Sequence, residues 1–405
     1  MRVLLVGSGG REHALAWRLA QTAGVEIHAA PGNPGIAELG ECHPVRAHDA
    51  EGLLSLARTL DAGLVVIGPE SPLVTGVADE LRHAGIAVFG PSAAAARIEG
   101  SKTFAKEVMR VAGVPTAAAL SVARPPCVVK LDGLAAGKGV FVCRTAAELG
   151  GGLKAAARAG GQVVIEELLE GEELSVFAIC DGARALPLAP ARDFKRLADR
   201  DEGPNTGGMG SFSPVAEIDA ERLSEIVATV HAPVLEALAR RGTPFIGLLY
   251  AGLMLTDSGL KVLEFNCRFG DPETQSIMPR LEGDLLGALA AAAAGDLAET
   301  DLGARDEAAV TVVLAGGSYP ERSDSGGPIQ GVEEAKAAGA LVFHAGTAVR
   351  SGRLVTNGGR VLNVTARGAT LAEARSSAYA ACERITFPRM QYRRDIAAEE
   401  AGVAP

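Results

Sequence analysis

Val262-Leu263-Glu264-Phe265-Asn266-Cys267-Arg268-Phe269-Gly270-Asp271-Pro272-Glu273 begins as an apolar strand and ends in charge. Side chains alternate along an extended chain, so Glu264, Asn266 and Arg268 share one face. A carboxylate, an amide and a guanidinium in succession at a strand end are hard to explain by packing, because burying unpaired polar groups is costly. Two oxygen donors on one face, beside bound phosphates, suit Mg²⁺, which takes few protein ligands and keeps substrate oxygens and water. Arg268 follows on that face and is suited to a phosphate or a carboxylate.

Two upstream segments extend this pattern. Lys130-Leu131-Asp132-Gly133-Leu134-Ala135-Ala136-Gly137-Lys138-Gly139-Val140 joins two strands through glycines and a second lysine. Glycine lets backbone amides approach phosphates, and lysine adds a point charge. The GxxxxGK[ST] loop is absent, and an ordinary hairpin with two solvated lysines is an equal reading of this segment alone. Val164 to Ser175 then reads as strand, acidic turn and strand. Glu166 at the strand end and Glu173 seven residues on are spaced to span a nucleoside, one at the adenine amine and the other at the ribose hydroxyls. A charged surface turn is the plainer alternative.

The first hundred residues alternate apolar runs (Val3–Val6, Val25–Ala30, Leu64–Ile67, Ala87–Phe89) with amphipathic stretches (Arg11–Ala20, Ala50–Leu60, Leu73–His83). That alternation predicts a parallel α/β sheet, with ligands outside the carboxyl ends of its strands. Three glycine-bearing loops fall there: Gly7-Ser8-Gly9-Gly10, Pro31-Gly32-Asn33-Pro34-Gly35 and Gly68-Pro69-Glu70. The first resembles a dinucleotide fingerprint, but Glu12 stands at the third glycine position and the ribose-binding acid is missing. Glycine amides at a helix start still suit an anion, and a tight turn without a ligand is the alternative.

Beyond Gly113-Val114-Pro115 the chain reads as a small α+β unit: strands Cys127–Lys130, Val140–Val142, Val163–Glu166, Leu174–Cys180 and Ala185–Pro190, with a helix at Ala146–Ala157. A polar loop is expected from Arg192 to Ser213, then a long helix, Ala216–Arg240. Ile246–Leu255 and Leu260–Phe265 flank Thr256-Asp257-Ser258-Gly259, a hairpin signal. Later strands are expected at Ala309–Leu314, Leu341–His344 and Val361–Thr365, and a helix at Leu371–Arg384.

Composition narrows the function. The 405 residues carry a formal charge of −10 and 4% aromatics, which argues against nucleic-acid binding. Six cysteines and seven histidines are scattered without metal-ligand or disulfide spacing, so a zinc site is not expected. Leu285–Gly295, the most apolar stretch, is about half a membrane span and reads as a packed helix. No targeting segment is visible, so a cytoplasmic protein is expected.

The three segments, in this order, resemble the ATP-grasp ligases. Their details are similar to one branch, the glycinamide ribonucleotide synthetase (phosphoribosylamine–glycine ligase) family. The resemblance runs from VLLVGSGGREHALAW at the start through Glu99-Gly100-Ser101-Lys102, GPNTGGMG at 203–210 and EFNCRFGDPETQ at 264–275 to His344-Ala345-Gly346-Thr347 and Thr356-Asn357-Gly358-Gly359-Arg360-Val361. It implies a fold that is α/β and α+β: an N-terminal parallel α/β (pre-ATP-grasp) domain over 1–100, an ATP-grasp region over 101–305 with a small lid subdomain at about 115–190, and a C-terminal mixed α/β domain over 306–405.

The resemblance also implies the site. Lys102, Lys130 and Lys138 would contact ATP, with Lys130 and Lys138 nearest the phosphates. Glu166 would face adenine, Leu169 would offer it backbone, and Glu173 would bind ribose. Glu264 and Asn266 would hold Mg²⁺, or Mn²⁺ in its place. Lys138 and Arg268 would act in catalysis, and segment 133–139 would close over ATP. Gly9, Gly10, Arg11, Asn33, Gly68, Pro69 and Glu70 would take up the ribose 5-phosphate. Asp193, Lys195, Asn205, Thr206, Gly207, Gly208, Met209, Arg268 and Asp271 would surround glycine and the acceptor amine. The expected partners are these small molecules, with no nucleic acid and no membrane, and the expected state is a monomer.

Departures from the family pattern are local. Arg192-Asp193-Phe194-Lys195-Arg196 stands where Gln-Asp-His-Lys-Arg is usual, so no histidine moves a proton there. Ser211-Phe212 replaces Ala-Tyr. The strand before Glu264 lacks the metal-binding acid of many ATP-grasp enzymes, as this branch does. Other ATP-grasp ligases, such as carboxylases or D-alanine-type ligases, and a nucleotide-binding regulator without turnover remain the alternatives.

Overall fold

The computed structural model describes residues 1–135, 139–298 and 300–403. Its N-terminal sheet has the parallel order Glu41–Cys42, Glu26–Pro31, Arg2–Gly7, Leu64–Ile67, Val88–Phe89. The apolar runs are unbroken because both faces are covered: Leu4, Val6, Val65 and Ile67 enter one core, and Val3, Leu5, Leu64 and Val66 the other. Each of these side chains stabilises the fold by about 1.5–3 kcal/mol through burial. Parallel strands place the three glycine loops at one end of the sheet. The short strand Glu41–Cys42 has no apolar run and was not expected. The predicted helix Leu73–His83 is two helices, Glu70–Val74 and Val77–His83, separated at Gly76, whose φ of 92° is left-handed.

Helices Ala93–Gly100 and Lys102–Ala112 lead to the central region. There a three-stranded antiparallel sheet, in the order Val140–Cys143, Cys127–Leu131, Val163–Glu167, packs under helix Ala146–Ala159 around Cys127, Val129, Cys143 and Ala156. A second antiparallel sheet has the order Ala185–Pro187, Glu172–Asp181, Ile246–Thr256, Gly259–Asn266. Strands Glu172–Asp181 and Ala185–Pro187, inside the range expected to form the lid, therefore belong to the sheet of the hairpin at 246–266, Glu172–Asp181 pairing with it directly, and not to that of the 127–167 strands. The long helix starts at Ala220 and carries a π-helical turn at Val227–His231 before continuing to Arg240.

The stretch 192–213, expected as a loop, is largely strand. Arg196–Ala198 pairs with Glu202–Asn205. Arg192–Asp193 and Gly210–Ser213 join the C-terminal sheet, in the order Arg192–Asp193, Gly210–Ser213, Ala308–Ala315, Arg360–Gly368, Leu341–His344. The C-terminal sheet is thus stitched to the central region, under helix Leu371–Cys382. Among the described residues no helix is long and apolar enough to cross a membrane.

Candidate active site

A cleft of about 1330 Å³ opens between the two central sheets and reaches the N-terminal and C-terminal regions. Its floor is the strand Gly259–Asn266. Glu264 pairs across the sheet with Gly252, where a Cβ would sit 3.3 Å from Glu264 Cγ. A side chain opposite Glu264 would crowd it. No donor among the described residues hydrogen-bonds the Glu264 carboxylate. Burial alone would raise its pKa, but Lys195, Lys130, Lys102 and Arg268 hold it below the usual carboxylate range. Asn266 accepts from Arg268 Nη2 at 3.2 Å.

Around the floor, ion pairs fix the cationic side chains. Lys130 Nζ donates to the Leu263 carbonyl at 2.9 Å and pairs with Glu166 at 2.7 Å. Lys106 pairs with the other Glu166 oxygen at 2.8 Å. Glu166 is almost fully buried, and with each oxygen engaged once it retains lone pairs for a ligand. Lys102 donates from Nζ to the Gly133 carbonyl at 2.9 Å, while its backbone N–H donates to Asp132 at 2.6 Å. Burial lowers the Lys102 pKa despite the nearby Glu264. Lys195 pairs with Glu173 at 2.7 Å. Burial, reinforced by Glu273, Glu173 and Glu264, pushes Asp193 up to about 8 against the opposing Lys195 charge. Leu169, Asn205, Thr206 and Gly207 line the same cleft. Lys138 lies outside the described residues.

At the N-terminal end of the cleft, Arg268 is gripped by Glu70 at 3.3 Å and Glu99 at 3.1 Å. Burial would raise the Glu70 carboxyl, but Arg268 and Arg11 hold it at about 2. Arg11 donates to Glu12 at 2.6 Å and to the Phe269 carbonyl at 3.0 Å. Pro69 also lines the cleft. Glu12 explains the glycine loop. Its carboxylate accepts the Gly9 N–H at 2.6 Å, and a Cβ on Gly7 or Gly68 would collide with it.

Gly9, Gly10, Asn33, Gly68, Gly208 and Met209 do not line the cleft. Met209 is fully buried. The Asn33 amide donates to the Ser8 carbonyl at 2.9 Å and the His344 carbonyl at 2.8 Å, while its oxygen accepts from Gly35 and Ile36. Asn33 is a tie between loops.

The cleft also holds side chains whose partners the sequence alone does not give. Lys106 lies one helical turn after Lys102, a spacing that could have revealed it. Tyr250 donates to Glu273 at 2.7 Å. Arg360, from the Gly-Gly-Arg stretch near the C-terminus, pairs with Asp271 at 3.1 Å and donates to the Gly207 and Asp271 carbonyls at 2.7 Å each. Phe194 packs against Phe212, ring centroids 6.2 Å apart, with the Arg393 guanidinium 4.8 Å from its centroid. Arg192 reaches Glu172 and Glu400 at 2.8 Å each.

Two antiparallel sheets enclosing a cleft with lysines on one wall and an acid–amide pair on the other are the architecture of an ATP-grasp enzyme. The comparisons agree. The family models for the phosphoribosylglycinamide synthetase N domain, ATP-grasp (A) domain and C domain match residues 1–99, 100–274 and 309–399, and the chain belongs to that family. The phosphoribosylamine–glycine ligase of Streptomyces coelicolor is 52% identical, covering 99% of this chain and all of that one. Its counterpart from Corynebacterium ammoniagenes is 48% identical over 100% and 99%. Among solved structures, the phosphoribosylamine–glycine ligase of Thermotoga maritima superposes with a TM-score of 0.86 at 37% identity, covering 98% of this chain and 100% of that one. The biotin carboxylase domain of Hydrogenobacter thermophilus 2-oxoglutarate carboxylase, solved with MgADP and bicarbonate, shares the fold at TM-score 0.71 and 17% identity over 96% and 91%.

Proposed function

We propose that this chain joins glycine to 5-phosphoribosylamine at the expense of ATP, giving glycinamide ribonucleotide, ADP and phosphate, as a cytoplasmic monomer in purine synthesis. The observation that carries the reading is one cleft lined together by Lys102, Lys130 and Glu166 on one side and by Glu173, Glu264, Asn266 and Arg268 on the side of the four-stranded sheet. Family membership over the whole chain supports the choice of substrates.

A free carboxylate does not react with an amine without activation. In the proposed sequence the glycine carboxylate attacks the γ-phosphorus of ATP and ADP leaves. The amine of phosphoribosylamine then attacks the acyl carbon of glycyl phosphate, and phosphate leaves. Neither step needs a covalent bond to the enzyme. The chain positions the reactants and offsets charge, as in other phosphoryl transfers. Lys102 and Lys130 face the phosphates, Glu166 and Glu173 the nucleoside, and Arg268, held by Glu70 and Glu99, faces the transferring group. Glu264 fits Mg²⁺, being a hard oxygen donor left without a hydrogen bond among the described residues and surrounded by cations that keep it ionised. Asn266 would complete the protein's share. When bound, the ion neutralises phosphate charge.

The test is phosphate release from ATP and Mg²⁺ with glycine and freshly generated phosphoribosylamine, added separately and together. Release that requires both, with a product whose mass equals their condensation, is expected. Release dependent on bicarbonate and indifferent to glycine would move the chain to carboxylase-type chemistry.

A further inference from the structure

The edge of the N-terminal sheet carries a cluster that this chemistry does not use. Strand Glu41–Cys42 pairs with Glu26–Pro31 in the register His28↔Glu41 and Ala29↔Cys42. His43 continues it, its backbone N–H donating to the Ala29 carbonyl at 2.8 Å. This short pairing draws three potential metal ligands to one corner. His28 Nδ1 lies 3.0 Å from His43 Nε2. One Glu41 carboxylate oxygen is 3.9 Å from His28 Nδ1 and the other 3.9 Å from His43 Nδ1. One ligand atom from each residue falls within a 4.8 Å group. Donors held at about 2.0–2.1 Å from one tetrahedral ion are about 3.3 Å apart; His43 meets His28 through Nε2 and Glu41 through Nδ1, so it would bind through one of the two and the exposed Glu41 side chain would turn to meet the ion.

The donor chemistry selects the ion. Two imidazoles and one carboxylate suit zinc-like dications, whereas Mg²⁺ and Ca²⁺ prefer oxygen throughout. Burial, and then the neighbouring His43, lower the His28 pKa, with Glu41 and Glu26 opposing and Arg2 adding to the fall. Glu41 is largely exposed, and among the described residues its carboxylate has no lysine or arginine partner, so it is free to turn inward.

We propose that His28, Glu41 and His43 form a site for one zinc-like divalent ion, with the fourth position open to water, that staples the two ends of the 31–40 loop. Without metal, the 3.0 Å contact is a hydrogen bond between the two imidazoles; the ion replaces it. The loop so clamped carries Asn33, which ties the first glycine loop to His344. A metal here stiffens the junction from outside the cleft, independently of which substrates the cleft takes.

The test is titration of the full-length, chelator-stripped, reduced protein with Zn²⁺ against a chromophoric competitor, in excess Mg²⁺. One tight Zn²⁺ per chain is expected, with affinity falling at least about tenfold in His43→Gln and in His28→Gln, since even outer-shell changes cost that much. His43 is partly exposed at the strand end, and its variant keeps the fold available if the buried His28 variant does not fold. Saturating Zn²⁺ should raise Tm in the wild type and not in His43→Gln, because an ion that binds only the folded chain stabilises it. Cys42→Ser should keep the stoichiometry. A wild type that binds Zn²⁺ no more tightly than His43→Gln, or a site lost with Cys42, overturns the proposal.

Discussion

Glu264 is surrounded by four cations, so it is ionised and attracts them without being tied to any of them by a hydrogen bond among the described residues. That combination separates binding from turnover. Replacing Glu264 by Gln leaves the cationic cluster intact and removes one negative charge. An anionic nucleotide should then bind no more weakly in the absence of metal, while the dication loses its anionic protein ligand. We expect Glu264→Gln to lower kcat by at least about 100-fold, the scale of losing one charge-stabilising group, with circular dichroism unchanged. A near-normal rate would remove Glu264 from the metal role. This residue was legible because charge at a buried strand end needs a reason. Lys106 and Glu99 were missed, because lysine and glutamate on a helix are ordinary; the one-turn spacing from Lys102 was the only hint of Lys106, and the fold shows that the two meet Glu166 and Arg268.

The elements with one repeating pattern were read well: Leu64–Ile67 and Leu341–His344 match the structure residue for residue, and most others shift by one or two positions at their ends, whereas the strands expected at Ala185–Pro190 and Val361–Thr365 are Ala185–Pro187 and Arg360–Gly368, and the long helix starts four residues later than expected. The stretch 192–213 was missed because its strands are short and built from glycine, proline and charge. Its last strand, Gly210–Ser213, is held by Ala308–Ala315, about a hundred residues away, and the others pair within the stretch. The helix at 220–240 hides a second feature. At its π-helical turn, His231 is fully buried and neither ring nitrogen makes a hydrogen bond of good geometry among the described residues. Burial lowers its pKa to about 4, and the nearby Leu249 and Val176 backbones offset this only partly. In the unfolded chain the same imidazole titrates near 6.5. Acid therefore protonates the unfolded chain first: the stability is complete above pH 6.5 and is lost as pH falls toward 4. Between pH 7 and 5 this one histidine should cost about 2 kcal/mol. Denaturant unfolding of His231→Leu should show a loss smaller than the wild type's by about that amount; an equal loss would mean that His231 is not held neutral. His344, also lowered to about 4 by burial and then Lys336, adds to the same acid limb in both proteins.

The cleft belongs to no single region. Asn33 ties the first two glycine loops to His344, Arg268 joins the 70 and 99 positions to the Gly259–Asn266 strand, and Arg360 reaches from the C-terminal sheet to Asp271 and the 207–208 loop. The C-terminal stretch was legible as a family match, but its chemistry was not, since a lone arginine after two glycines names no partner. Arg360 divides the cleft by function: it touches the side expected to hold glycine and the acceptor amine and makes no contact with Glu166 or Glu173. Its planar fork donates to two carbonyls and a carboxylate together, which a lysine cannot reproduce. Breaking one half of a fully buried pair costs about 3–5 kcal/mol; the Arg360–Asp271 pair is only half-buried, with the side chains 20% and 14% exposed, and Asp271 keeps a 2.7 Å hydrogen bond from Gln275, so the loss here is smaller. We therefore expect Arg360→Met to raise the KM for glycine or phosphoribosylamine by at least about tenfold, each 1.4 kcal/mol of lost binding being one factor of ten, with the KM for ATP little changed. Arg360→Lys should recover only part of the difference. If instead the ATP constant moves with the others, Arg360 supports the cleft as a whole, and the C-terminal sheet contributes stability but no substrate discrimination.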